Sequence, residues 1–148
     1  MSQLDKETMR RIPLEAFNEG RVEIVDEVLA ADFVEHGSLP PGVPQGRDGL
    51  KSLIKGLKAA FPDMRYTVIH EVSEGDMLVQ HMRASGTMTG EFAGMKPTGR
   101  SATWDEVHVV RMKDGKAVEH WATVDQLGML QQLGLAPAAP AAPAARAA

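Results

Sequence analysis

The hydrophobic period of this chain changes once, near Asp63. Before that point apolar residues recur at helical spacing, and after it they alternate. A chain that places its helices first and its strands afterwards cannot build successive strand–helix–strand crossovers. It predicts an α+β architecture, with helices packed against an antiparallel sheet.

Three helices are expected in the first half. One covers about residues 5–18, with Met9, Ile12 and Ala16 on a single stripe. Pro13 should kink or divide it, and Asn18-Glu19-Gly20 reads as a stop. A second covers residues 22–30. In the third, Asp48 is the expected N-cap, and Leu50, Leu53, Ile54 and Leu57 follow the i, i+3, i+4, i+7 pattern up to Phe61-Pro62-Asp63. Between the last two, residues 33–36 suit a short strand, and the proline-rich residues 39–44 a loop over one end of the domain.

The second half predicts a four-stranded meander over residues 66–72, 77–87, 102–112 and 117–124. The glycine-rich residues 89–100 form a loop, and Lys113-Asp114-Gly115-Lys116 is a hairpin signal. A short helix follows over 125–133, with Gly134 at its end. Residues 1–134 thus read as one domain, and the alanine- and proline-rich residues 135–148 as a disordered tail.

At 148 residues the chain is long enough to bury a substantial core. It has no cysteine, which excludes disulfides, thiolate metal sites and a cysteine nucleophile. Sixteen basic against twenty acidic side chains give a net charge of −4 with no basic stripe, so neither a nucleic acid nor a membrane partner is expected. The start lacks a secretory pattern and no apolar run reaches membrane-spanning length, which predicts a cytoplasmic protein. No phosphate-binding loop, dinucleotide fingerprint or G-x-S-x-G elbow occurs. The histidines at 36, 70, 81, 108 and 120 show no H-x-x-x-H or H-x-H spacing, so no metal site is expected.

Polar chemistry concentrates on the last two strands. Trp104, Glu106 and His108 share one face of the third strand, while His120 and Ala122 alternate with Glu119 and Trp121 on the fourth. The hairpin register decides which faces match. A two-residue turn sets His108 opposite Trp121. A turn with a bulge at Gly115 sets it opposite Ala122, and aspartate before a left-handed glycine favours that option. His36, beside the proline-rich loop, is either a pocket acid/base or a loop hydrogen-bonding partner. Asp125 is placed to cap the last helix.

Four patches carry a family resemblance: Ala16-Phe17-Asn18-Glu19-Gly20; Ala60-Phe61-Pro62-Asp63-Met64; Gly86 through Arg100; and Arg111 through Gly134, with Asp114-Gly115-Lys116, Glu119-His120-Trp121, Asp125 and Gln131-Gln132-Leu133-Gly134. Together the chain resembles the SnoaL-like polyketide cyclases. The resemblance implies a cone-shaped α+β barrel, a curved antiparallel sheet wrapped around N-terminal helices and enclosing an apolar cavity. It also implies a homodimer or homotetramer, a small hydrophobic ligand with an enolisable carbonyl, and aldol-cyclase or isomerase chemistry with no metal or organic cofactor. The family histidine falls on His108, with His36 and Asp125 as further catalytic candidates. Trp104, Glu106, His120, Trp121, Phe61 and Met88 are the substrate-binding candidates. The family's catalytic aspartate falls on Ala122, and the histidine of its Gly-Thr-His-Thr-Gly patch on Met88. Two readings follow: an acid/base enzyme of the lyase or isomerase type, and a non-catalytic binding protein on the same scaffold.

Overall fold

In the computed structural model, which describes residues 1–140, the first helix begins at a reciprocal cap. Ser2 Oγ accepts the Asp5 N–H at 3.0 Å, and the Asp5 carboxylate accepts the Ser2 N–H at 3.1 Å. Helix α1 runs Gln3–Arg11. Pro13 neither breaks it nor divides it. The chain widens instead into a π-helical turn over Ile12–Phe17, where the Asn18 N–H reaches back to Pro13 O at 3.1 Å. Proline has no N–H to place in the ladder, and the wider turn accommodates that loss.

The second helix is shorter than its apolar period suggests. Helix α2 is Ile24–Val28, and Leu29 is already extended. Strand β1 occupies Leu29–Glu35, longer than the short strand expected at residues 33–36. Helix α3 runs Gly46–Ala60, with Gln45 rather than Asp48 at its N-cap. Asp48 lies in the first turn, where its charge suits the helix dipole. Gln45 reaches back to β1 instead: Oε1 accepts the Glu35 N–H at 3.0 Å and Nε2 donates to Glu35 O at 3.1 Å.

Strands β2 (Arg65–Glu74), β3 (Met77–Thr87), β4 (Ser101–Lys113) and β5 (Lys116–Val124) form the expected antiparallel meander, and α4 (Gln126–Leu133) closes it. The sheet has five strands, not four, in the order β1-β5-β4-β3-β2. Strand β1 pairs with β5 in parallel, with Leu29 beside Ala117 and Glu35 beside His120. Long-range pairing overrides the helical period of residues 29 and 30. The curved sheet stays open, since its edges β1 and β2 do not pair. Its inner face contributes Leu78, Met82, Trp104 and Val110 to a core shared with Phe17, Ile24, Val28, Ile54 and Phe61.

The β4–β5 hairpin turns on two residues. Lys113 pairs with Lys116, and both Asp114 (φ 51°) and Gly115 (φ 77°) are left-handed. The extra residue lies in the strand, at Val118, between the pairs Met112–Ala117 and Arg111–Glu119. His108 therefore stands opposite Ala122, but the bulge that puts it there is not at Gly115.

Side chains from the loops pin the layers together. The Asn18 amide holds Tyr66 at both ends, accepting its N–H at 2.7 Å and donating to its carbonyl at 3.0 Å. Asp63 accepts the Thr87 N–H at 2.7 Å and the Thr87 hydroxyl at 2.8 Å. Gly90 passes so close to α3 that a Cβ there would lie 2.4 Å from Ala59 O. Helix α4 ends at left-handed Gly134, and Leu135 packs on the core with its N–H on Leu130 O. Most of the expected disordered tail, residues 141–148, lies outside the described residues. Among those described, no helix is long and apolar enough to cross a membrane.

Replacing Asn18 by alanine strips partners from both backbone groups of Tyr66. The expected loss is about 1–3 kcal/mol for each group left unsatisfied, read as a lower urea midpoint in equilibrium unfolding.

Candidate active site

Alternation along β4 sends Trp104, Glu106 and His108 to the inner face of the sheet. Glu106 is 5% exposed. A carboxylate this deep requires donors, and it has three. Trp104 Nε1–H donates to Oε1 at 2.8 Å, the Tyr66 hydroxyl lies 3.1 and 3.2 Å from the two oxygens, and His108 Nε2 lies 2.7 Å from Oε2.

The contacts continue beyond His108. Its Nδ1 lies 2.9 Å from His120 Nε2, and the two rings stack with centroids 5.1 Å apart. His120 Nδ1–H donates to Glu35 Oε2 at 2.6 Å, and Glu35 Oε1 accepts the Gly37 N–H at 2.7 Å. Four ionisable side chains from three strands thus form one line, Glu106–His108–His120–Glu35. Register explains each member. His120 pairs with Val110, next along the face from His108, and small Ala122 stands opposite His108. The parallel pairing of β1 sets Glu35 beside His120.

Burial raises the Glu106 carboxyl, but the hydrogen bond and charge of His108, with the Trp104 and Tyr66 donors, outweigh it and hold the group below the ordinary glutamate range. Glu35 shows the same balance: burial raises it, and His120, the Gly37 N–H and the more distant His108 bring it below the ordinary range. Tyr66 is pushed well up by burial and by the Glu106 charge, so it stays a phenol. With both carboxylates ionised, three links need three protons. Two are the N–H groups facing the carboxylates, and the third lies between the imidazoles.

The other residues expected from sequence lie elsewhere. His36, the residue just past the end of β1, points to the opposite, outer face of the sheet, where Nε2 lies 3.0 Å from Glu119 Oε1 and the ring stacks on Trp121 at 4.6 Å. Trp121 is therefore an outer-face residue as well. Asp125 caps α4, its Oδ1 accepting the Gly128 N–H at 3.0 Å. Phe61 packs on Trp104 at 5.9 Å, and Met88 is 1% exposed in the core. Glu35 was not among the expected residues. Its alternation with buried Phe33 was visible, but its partner His120 becomes evident only once β1 joins the sheet.

A second cluster lies on the outer face. His70 Nδ1 is 3.1 Å from His81 Nδ1, and His81 Nε2 is 2.9 Å from Asp105 Oδ2. Arg83 and His81 together hold the exposed Asp105 carboxyl at about 2. Among the described residues no group of three or more histidine, cysteine, aspartate or glutamate side chains is arranged to hold a metal ion.

The SnoaL-like polyketide cyclase family model matches residues 7–133. The chain belongs to that family. It is 31% identical over 120 residues to the nogalonic acid methyl ester cyclase of Streptomyces nogalater, spanning 80% of this chain and 90% of that one. The aklanonic acid methyl ester cyclase DnrD of Streptomyces peucetius is 28% identical over 123 residues, covering 82% of this chain and 85% of its own. Among solved structures, IdmH of Streptomyces antibioticus is 37% identical with a TM-score of 0.76, over 90% of this chain and 99% of its own. TsrD of Streptomyces laurentii is 26% identical with a TM-score of 0.83, over 92% and 99%. This SnoaL-like chain thus pairs N-terminal helices with an open, curved five-stranded sheet.

Because the folded Glu106 carboxyl is depressed, the unfolded chain binds more protons there as the pH drops through the carboxylate range. The stability it contributes is present above the unfolded value and is lost as the pH falls through the folded one. Glu106→Gln should lower the urea midpoint at neutral pH and flatten its acid-side dependence, measured from about pH 3 to 7.

Proposed function

We propose that this SnoaL-like protein binds a hydrophobic, enolisable carbonyl compound and performs acid–base chemistry of the aldol-cyclase or isomerase type, with no metal or organic cofactor. The observation that carries this reading is the line Glu106–His108–His120–Glu35. A carbon flanked by carbonyls is acidic enough for a positioned carboxylate or imidazole to deprotonate, and the enolate then needs positive charge and hydrogen-bond donors nearby. The line supplies ionised carboxylates and two hydrogen-bonded imidazoles at the inner face of the sheet. Half-buried Leu50, Leu57, Phe92 and Met95 pack against the core and are the apolar surface proposed for the substrate. Nogalonic and aklanonic acid methyl esters, after which two of the relatives are named, are the first substrates to try. Assembly as a homodimer or homotetramer in the cytoplasm belongs to the same proposal. Val72 and Val107, exposed on the outer sheet face, are the apolar surface it would use.

A second reading is a non-catalytic binder: the resemblance implies a catalytic aspartate at position 122, and this chain has Ala122 there. Deuterium exchange at an activated methylene separates the two. With a panel of 1,3-dicarbonyl and aromatic polyketide esters in heavy water, wild type is expected to accelerate loss of the methylene NMR signal. His108→Ala, which cuts the line between Glu106 and His120, should slow it by about 10²-fold or more. A wild type that binds the panel without accelerating exchange, while Ala122→Asp does accelerate it, identifies a binder that has lost its base.

A further inference from the structure

Within that carbon-acid reading, on which this step rests, we infer that Glu35 is the proton-abstracting base, a carboxylate delivered from β1 to a site whose β5 position 122 is alanine. The argument is a count of free valences. Both nitrogens of His108 are occupied, by Glu106 and His120, and both nitrogens of His120, by His108 and Glu35. The rings are 17% and 20% exposed, but with every nitrogen engaged they present only carbon edges. Glu106 is sealed by burial: its side chain is 6% exposed, and Trp104, Tyr66 and His108 take three of its four lone pairs. Each carboxylate oxygen has two lone pairs. Glu35 uses one on the Gly37 N–H and one on His120, so each of its oxygens keeps one free, on a side chain 14% exposed.

The position supports the assignment. A Cβ built on Gly37 would lie 2.8 Å from Glu35 Oε1 and 3.9 Å from the Ala122 nitrogen, so the carboxylate and the β5 backbone at Ala122 both lie near Gly37. A side chain at 37 would collide with that oxygen. Backbone bonds fix the strand on both sides of Glu35: Gln45 clamps its N–H and carbonyl, and the His36 N–H bonds His120 O at 2.9 Å. His120 on β5 and His108 on β4 are the titratable groups facing Glu35. Helix α3 presents neutral Gln45, and Arg47, whose guanidinium is held on the Leu29 carbonyl.

The step balances without a co-reactant. A free lone pair of Glu35 takes the proton from the carbon between two carbonyls, and the C–H pair becomes the enolate. The enolate carbon bonds to a second carbonyl carbon of the same molecule as that C=O π pair moves to oxygen. The protonated Glu35 returns its proton to the alkoxide. The histidine pair is a positioning unit: it holds Glu35 ionised.

The test follows deuterium exchange into methyl benzoylacetate against pH for wild type, Glu35→Gln, Glu35→Asp and Glu35→Gln/Ala122→Asp, at pH values where circular dichroism shows each folded. Wild type should lose activity toward acid only below the ordinary carboxylate range, because the base must be ionised and its carboxyl is depressed. Glu35→Gln should fall by about 10²-fold or more and lose that acid limb. Glu35→Asp should fall less and keep it. Adding Ala122→Asp to Glu35→Gln should restore about tenfold or more, with a carboxylate-type limb. The assignment is overturned if Glu35→Gln stays within about tenfold of wild type, or if the wild-type limb lies near the ordinary imidazole value of about 6.5 and does not move in the variant. In either case the carbon-acid reading stands and a histidine is the base. If Glu35→Gln does not fold, an unchanged rate in Glu35→Asp overturns the assignment by itself. A wild type with no exchange rejects the carbon-acid reading and the assignment together.

Discussion

The buried carboxylate of Glu106 is the group around which the inner face of the sheet is organised. Left without donors it would be among the most unfavourable groups in the protein. With Trp104, Tyr66 and His108 around it, it becomes the fixed negative end of a hydrogen-bonded line that crosses β4 and β5 and ends on β1. Its demand reaches further than its own contacts. Tyr66 can serve it only because Asn18, at the end of the π-helical turn, grips the Tyr66 backbone from both sides. Trp104 is packed in place by Phe61 at the C-terminus of α3. The helices of the first half thus act on the site by holding its donors.

Several sequence motifs that suggested a family turn out to be joints. Asn18 ties the helical layer to β2, and Asp63 ties the end of α3 to Thr87 on β3. Gly90 lets the β3–β4 loop lie against the last turn of α3, where Ala60 O accepts the Thr89 and Gly90 N–H groups. None of these touches the line of ionisable groups. They preserve the angle between layers, which is why they mark a scaffold and leave its chemistry undetermined.

How much of this was legible in the sequence follows from what each feature depends on. The α+β class, the long strands, the cap at Asp125 and the end at Gly134 rest on periodicity and local turn chemistry, which a sequence carries directly. Strand β1 was only half visible, because residues 29 and 30 also suit a helix and become a strand by pairing with a segment nearly ninety positions away. That one omission hid Glu35 and left His36 as the candidate, since neighbouring strand residues point to opposite faces. Glu106, His108 and His120 were all visible as candidates. Their order in a line was not, because it depends on the hairpin register and on ring orientations that no local pattern encodes.

Val118 gives that register an unexpected weight. This one bulged residue puts His120 and Ala122 on the inner face and sends Glu119 and Trp121 outward. Pairing of the same residues onward from Ala117 without that bulge would exchange the two sets and bring Trp121 opposite His108. Such a site can change by substitution so long as the bulge at Val118 holds the register. Descent within a scaffold of this kind should therefore tolerate turnover in the reactive group far more readily than a one-residue slip in the register of the strand that carries it.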